Sequence, residues 1–195
     1  MEKSGTAKAK KLFARFFLWN GQAMYIGISP SSTFHQHHAL QIGISLNEPL
    51  RIRYQPTEDF TNCQSFIVGP NTAHQIDAAT DALFLWIESE SVITRILCSI
   101  YGTKGHLNII RADQTSSILK NLKDIPLNQV SCSQAVLVAD RIVRLLLPDD
   151  FVPPSRDPRI KIVIELISQS YLRDEPYLIN DIATQVYLSP SRLRH

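Results

Sequence analysis

The stretch Phe34-His-Gln-His-His-Ala-Leu-Gln-Ile-Gly-Ile-Ser45 sets His35, His37 and Gln41 close together, and Gly69-Pro70-Asn-Thr-Ala-His74 supplies another histidine after a turn. Imidazole can offer a lone pair to a metal, hydrogen-bond through either ring nitrogen, or carry a proton near neutral pH. His35, His37 and His74 could therefore furnish three neutral ligands to zinc, iron, copper or nickel, and the same set also makes a hydrogen-bonded pocket lining. Side chains alternate along a strand. A strand here puts His35, His37, Ala39, Gln41, Gly43 and Ser45 on one face, and Phe34, His38, Leu40, Ile42, Ile44 and Leu46 on the other. The first face is polar and small, which leaves room for a cavity; the reverse is mainly apolar. The polar face carries no carboxylate, and the chain has no G-x-S-x-G, P-loop or dinucleotide fingerprint. The reading is an effector pocket of His35, His37, Gln41 and His74, with no metal, no cofactor and no catalytic residue. A metal-dependent enzyme using the same histidines is the alternative. His38, on the apolar face, and His106, in a loop, are read as structural or exposed.

A second constellation lies at the C-terminal end. Ile179, Ile182, Ala183 and Val186 recur at i, i+3, i+4 and i+7, the apolar stripe of a short helix. Tyr187-Leu188 makes a tight turn, Ser189 can cap the next helix, and Pro190 suits its first position. In that helix Leu193 points back to the core, leaving Ser191, Arg192, Arg194 and His195 outward. A helix, a sharp turn and a second helix with exposed basic residues near its start is the geometry that puts side chains into a major groove or onto phosphates. Two residues weaken it. Leu178 gives no hydroxyl cap, a loss of about 1 kcal/mol, and Tyr187 costs about 1–2 kcal/mol if its backbone is left-handed.

The elements that must position these groups follow from periodicity. Candidate strands are Ala14–Trp19, Ala23–Ile28, Ala39–Leu46, Leu50–Tyr54, Ser65–Val68, His74–Asp77 and Ala82–Glu88, with Pro30, Pro49, Pro56 and Pro70 between them, the pattern of a small barrel or sandwich. In Leu50-Arg-Ile-Arg-Tyr54 the alternation leaves Arg51 and Arg53 on a solvated face. Then the period changes to that of helices. Ile93, Ile96, Leu97 and Ile100 form one face, with Ser89 or Ser91 as N-cap and Gly102 as stop. Further helices are expected over Thr115–Leu122 and from Ser133 to Leu147, the latter with an apolar stripe (Val136, Leu137, Ala139, Val143, Leu146, Leu147) wide enough for a core and a partner. The stretch 148–158 carries four prolines and reads as a semi-rigid linker. Beyond it Ile160, Val163, Ile164, Ile167 and Tyr171 lie on one face of another helix.

With 195 residues, 44% hydrophobic and 19% charged, the chain suits one packed domain plus a small appendage and excludes general disorder. A net charge of +2 decides nothing about nucleic acid. Cys63, Cys98 and Cys132 are odd in number and widely spaced, so they read as reduced thiols rather than a disulfide framework or zinc knuckle. The apolar run near Leu12–Trp19 is interrupted by Arg15 and ended by Asn20-Gly21-Gln22, too short for a membrane helix. A cytoplasmic protein without a membrane partner is expected.

The sequence DPRIKIVIELISQSYLRDEPYLINDIATQVYLSPSRLRH, above all EPYLINDIA followed by LSPSRL, resembles the start of the DNA-binding domain of AraC-type transcription regulators. The paired patterns H-x-H-x-x-x-Q and G-P-x-x-x-H over residues 14–88 look like the motifs of a cupin barrel, the sensory domain that commonly precedes it. The resemblance implies a mainly β fold with appended helices: a basic tail (1–13), a cupin-like sensor barrel (14–88), a helical dimerisation segment (89–147), a linker (148–158) and a helix-turn-helix part (159–195). It further implies a ligand-responsive, homodimeric, non-enzymatic DNA-binding regulator with a small-molecule effector. Members of that family carry two helix-turn-helix units, so the sequence is expected to be a truncated form that stops inside the first recognition helix. Metal-binding cupins usually have a glutamate where this chain has Gln41, which removes the anionic ligand.

Overall fold

The computed structural model describes residues 14–77, 80–103, 105–151, 158–159, 162–163, 166 and 178–193. The chain divides into two compact units, Met1–Asp149 and Asp150–His195. The first contains strands β1 (Ala14–Trp19), β2 (Gln22–Ile28), β3 (Leu40–Ser45), β4 (Leu50–Arg53), β5 (Thr61–Cys63), β6 (Ser65–Val68), β7 (Gln75–Asp77), β8 (Asp81–Ile87) and β9 (Leu107–Ile109). Its helices are α1 (Val92–Tyr101), α2 (Ala112–Leu122) and α3 (Cys132–Leu146). The expected class, mainly β with appended helices, is the one found. The strands divide between a six-stranded sheet, β1-β2-β8-β3-β6-β9, and a three-stranded sheet, β5-β4-β7. All the strand pairs are antiparallel.

The registers fix which residues share a face. Phe17, Met24, Leu85, Ile42 and Ile67 lie in one cross-strand row, and Phe16, Tyr25, Phe84, Gly43 and Phe66 in the row beside it on the opposite face. On the first face Met24, Ile26, Ile42, Ile44, Ile67, Leu83 and Leu85 are fully buried. Each such side chain contributes about 1.5–3 kcal/mol. The helices lie against this face: Ser65 of β6 hydrogen-bonds the Thr115 hydroxyl of α2, and α1 is tied to α3 by the Tyr101 hydroxyl donating to the Leu146 carbonyl at 3.1 Å. On the second face Phe66, Val68, Ala82 and Phe84 form one core with Leu50, Ile52, Cys63 and Ile76 of the smaller sheet. The result is three layers with β3 in the middle, every residue of it buried.

That burial changes one sequence expectation. Gly43 does not leave a cavity, because the Phe66 ring fills the space: a Cβ placed on Gly43 would lie 2.3 Å from two ring carbons. The smallness of Gly43 serves aromatic packing, with Phe66 and Phe84 centroids 6.3 Å apart. The strand expected over Ala39–Leu46 starts at Leu40, and residues 34–39 hold no regular strand. Two further strands, β5 and β9, fall where none was expected. β9 lies within the stretch read as helical and pairs with β6.

The helix signals behave as their chemistry requires. Ser91 accepts from the Thr94 amide at the start of α1, and Gly102 ends it in a left-handed conformation, φ 60°. Ser131 and Gln134 form a reciprocal capping box on α3. In α3, Ala135, Val138, Ala139, Ile142, Val143 and Leu146 are buried, whereas Val136 and Leu137 are exposed. On β4, Leu50 and Ile52 turn inward. Arg51 pairs with Asp77 at 2.6 Å, Arg53 donates to the Gln75 side chain, and both guanidinium groups lie over the Phe60 ring. Cys63, Cys98 and Cys132 are free thiols. No helix among the described residues is long and apolar enough to cross a membrane.

The second unit contains α4 (Ile179–Gln185) and α5 (Pro190–Leu193). Ile182, Ala183 and Val186 are buried. The expected helix through Ile160, Val163, Ile164, Ile167 and Tyr171 lies mostly outside the described residues; the described positions 158–159, 162–163 and 166 are helical.

Candidate functional site

The histidine cluster is assembled by a backbone clasp. His35 and His74 face each other as an isolated antiparallel bridge, with both amides donating across it at 3.0 and 2.8 Å. The Asn71 amide donates to the His37 carbonyl at 2.8 Å, so the turn carrying His74 is fastened to the segment carrying His35 and His37. Gln41 then enters from the first turn of regular β3. The four expected pocket residues are thus brought together, by this clasp rather than by continuous strand alternation. Ring centroids are 4.5 Å apart for His35 and His74, 5.1 Å for His37 and His74, and 5.8 Å for His35 and His37. His74 and Gln41 are buried, while His35 and His37 are half-buried.

Hydrogen bonds assign the tautomers. Nδ1 of His35 lies 2.8 Å from the Thr33 carbonyl, that of His37 lies 2.9 Å from the Ala39 carbonyl, and that of His74 lies 2.9 Å from the Thr72 carbonyl. A carbonyl oxygen only accepts, so each Nδ1 carries the hydrogen and each neutral ring has its lone pair on Nε2. Burial pushes the pKa of His74 down to about 4; the Thr72 carbonyl opposes this, and the neighbouring imidazoles add to it. His74 is therefore neutral at physiological pH.

Oε1 of Gln41 lies 2.7 Å from Nε2 of His37 and 3.0 Å from Nε2 of His74. On the same sheet face, Trp86 stands opposite Gln41 in the register, with its ring 6.3 Å from that of exposed Phe16. Only the pairing of β8 with β3 sets Trp86 beside Gln41, where it packs against the core between the sheets. His38 is exposed and bonded to Asn71, and His106 is exposed before β9.

The three histidines offer ligand atoms within 4.8 Å of one another. Nδ1–H groups fixed on backbone carbonyls are the outer-shell arrangement of metal-bound histidine. The fourth residue, however, is a neutral amide already bonded to two of the three Nε2 atoms. This donor set lacks an anionic ligand and does not fit the resident metal of a metal-binding cupin.

In the C-terminal unit the turn after α4 is closed by two hydrogen bonds: the Leu188 amide donates to the Ala183 carbonyl at 2.9 Å and the Tyr187 amide to the Thr184 carbonyl at 3.2 Å. This pattern needs a left-handed residue, and Tyr187 takes it with φ 54°. Leu178 gives α4 no side-chain cap, as its residue type predicts. Ser189 accepts from the Arg192 amide at 3.2 Å, capping α5. Ser191 and Arg192 are exposed on α5, while Arg194 and His195 lie outside the described residues.

No family model matches the chain, and no curated protein matches it. Among solved structures it is similar to the AraC-like transcriptional activator CuxR, with 10% identity, a TM-score of 0.45, and coverage of 92% of this chain and 71% of that one. It is similar to a cupin protein from Bacteroides fragilis at 16% identity and TM-score 0.35, covering 47% of this chain and 90% of the other. A Cupin 2 conserved barrel domain protein from Salinispora arenicola aligns at 18% identity and TM-score 0.32, covering 46% and 90%.

Proposed function

We propose that the chain is a ligand-responsive transcription regulator of the AraC type, not an enzyme. The observation that carries the reading is the turn between α4 and α5. A bulky, 92% exposed Tyr187 is held left-handed, and the Ser189 cap then starts a helix that presents Ser191 and Arg192 to solvent. Strain of about 1–2 kcal/mol for a non-glycine residue is tolerated where surrounding geometry requires it. That geometry suits entry of a helix start into a groove. On this reading Ser191, Arg192, Arg194 and His195 contact DNA.

The groups bonded within the histidine cluster are imidazoles, one amide and backbone carbonyls, a set of polar hydrogen-bonding groups that supports binding of a small polar effector. The effector acts by binding one arrangement of the protein more tightly than another, and it can shift the equilibrium only by that difference. The helical layer supplies a homodimer contact through exposed Val136 and Leu137 of α3. Fluorescence anisotropy of a labelled duplex titrated with the protein tests the reading. Arg192→Ala is expected to weaken binding and to flatten its salt dependence by about one phosphate contact. Unchanged affinity and salt slope would count against it.

A further inference from the structure

Two acceptors cannot share one hydrogen bond, and the centre of the histidine cluster poses that problem. Backbone carbonyls fix the hydrogens of His37 and His74 on Nδ1, leaving lone pairs on both Nε2 atoms. The side-chain oxygen Oε1 of Gln41 lies 2.7 and 3.0 Å from those two atoms. An amide oxygen there sets three lone-pair-bearing atoms against one another. Protonating both rings removes the conflict but places two like charges, with centroids 5.1 Å apart, where His74 is fully buried and the contacting groups are neutral. The other end of the amide solves it, because an NH2 group has two hydrogens for two lone pairs, and the amide ends are told apart by their bonding partners.

We propose that Gln41 is a lock that keeps this triad free of metal, its side-chain NH2 donating one hydrogen bond to His37 Nε2 and one to His74 Nε2. A metal ion has to break both bonds to reach these nitrogens and gains no negative ligand in exchange. Gln41 is held for this role: it lies 2% exposed in the fully buried strand β3. The triad is thereby specialised for hydrogen-bonded ligands, and the residue type at position 41 decides between that use and an ion site. The lock stands on the cluster geometry alone, whether or not the chain binds DNA.

Long-range nitrogen–proton NMR at neutral pH tests it on the native chain. His35, His37 and His74 are expected as Nδ1–H tautomers, with the Nε2 signals of His37 and His74 shifted as hydrogen-bond acceptors and moving on Gln41→Ala. A parallel titration with Co2+, read by visible absorption, should give Gln41→Glu an affinity at least tenfold above that of the native chain, since a carboxylate then joins three open imidazoles. A proton on Nε2 of His37 or His74 overturns the lock. So does stoichiometric Co2+ uptake by the native chain as tight as that of Gln41→Glu. The native-chain spectra decide the matter even if the glutamate variant fails to fold.

Discussion

Acidification should destabilise the N-terminal unit by a predictable amount through His74. Its pKa falls from the ordinary 6.5 to about 4 because the ring is buried beside two other imidazoles. At pH values above 6.5 both folded and unfolded states keep it neutral, and its contribution is fully present. As pH falls through the interval from 6.5 to about 4, the unfolded chain takes up a proton that the folded chain refuses. Stability is lost across that window at up to about 1.4 kcal/mol per pH unit, approaching ~3 kcal/mol in all. Urea unfolding followed by tryptophan fluorescence at successive pH values measures this. His74→Gln removes the titrating group, so it should start less stable at pH 7.5, having lost the bond to Gln41, yet fall more gently toward pH 4. The reasoning fails if the native chain and the variant lose stability in parallel across the window.

Gly43→Ala should cost about 1–3 kcal/mol by overpacking, because its methyl meets the Phe66 ring at 2.3 Å; thermal unfolding reads the loss. Tyr187→Gly should stabilise the C-terminal unit by about 1 kcal/mol by relieving the left-handed strain at φ 54°, visible as slower amide exchange in α4. Burial pushes the Cys63 thiol up to about 11, so alkylation at pH 8 should modify exposed Cys132 well before Cys63; equal rates would contradict the packing between the sheets.

Most strands were legible because alternation and flanking turns are local signals: β1 and β6 match their expected limits, β2, β4 and β7 differ by about a residue at one end, and β3 and β8 by about a residue at each end. β5 (Thr-Asn-Cys) and β9 (Leu-Asn-Ile) are short and largely polar or exposed, without the buried apolar centre that Ile76 gives to equally short β7, and they pair at the edges offered by β4 and β6. Helix caps were legible for the same local reason, Ser91, Gly102 and Ser189 each acting on amides or carbonyls a few residues away. The histidine cluster was legible as a set of residues but not as a mechanism. The clasp between His35 and His74 joins segments far apart in sequence, and the Nδ1–H tautomers depend on backbone carbonyls that carry no sequence signature. The cavity expected beside Gly43 failed because the residue that fills it, Phe66, is a partner across the sheet register, which no single-strand pattern reveals.

The proposed function requires that the segment after α4 read DNA sequence. Selection from a randomised duplex library with the protein measures that directly. Recovery of a common motif, lost on Arg192→Ala while the histidine cluster keeps its native NMR signature, is the predicted result. An unselected pool recovered by a folded protein, or a motif indifferent to Arg192, would contradict it.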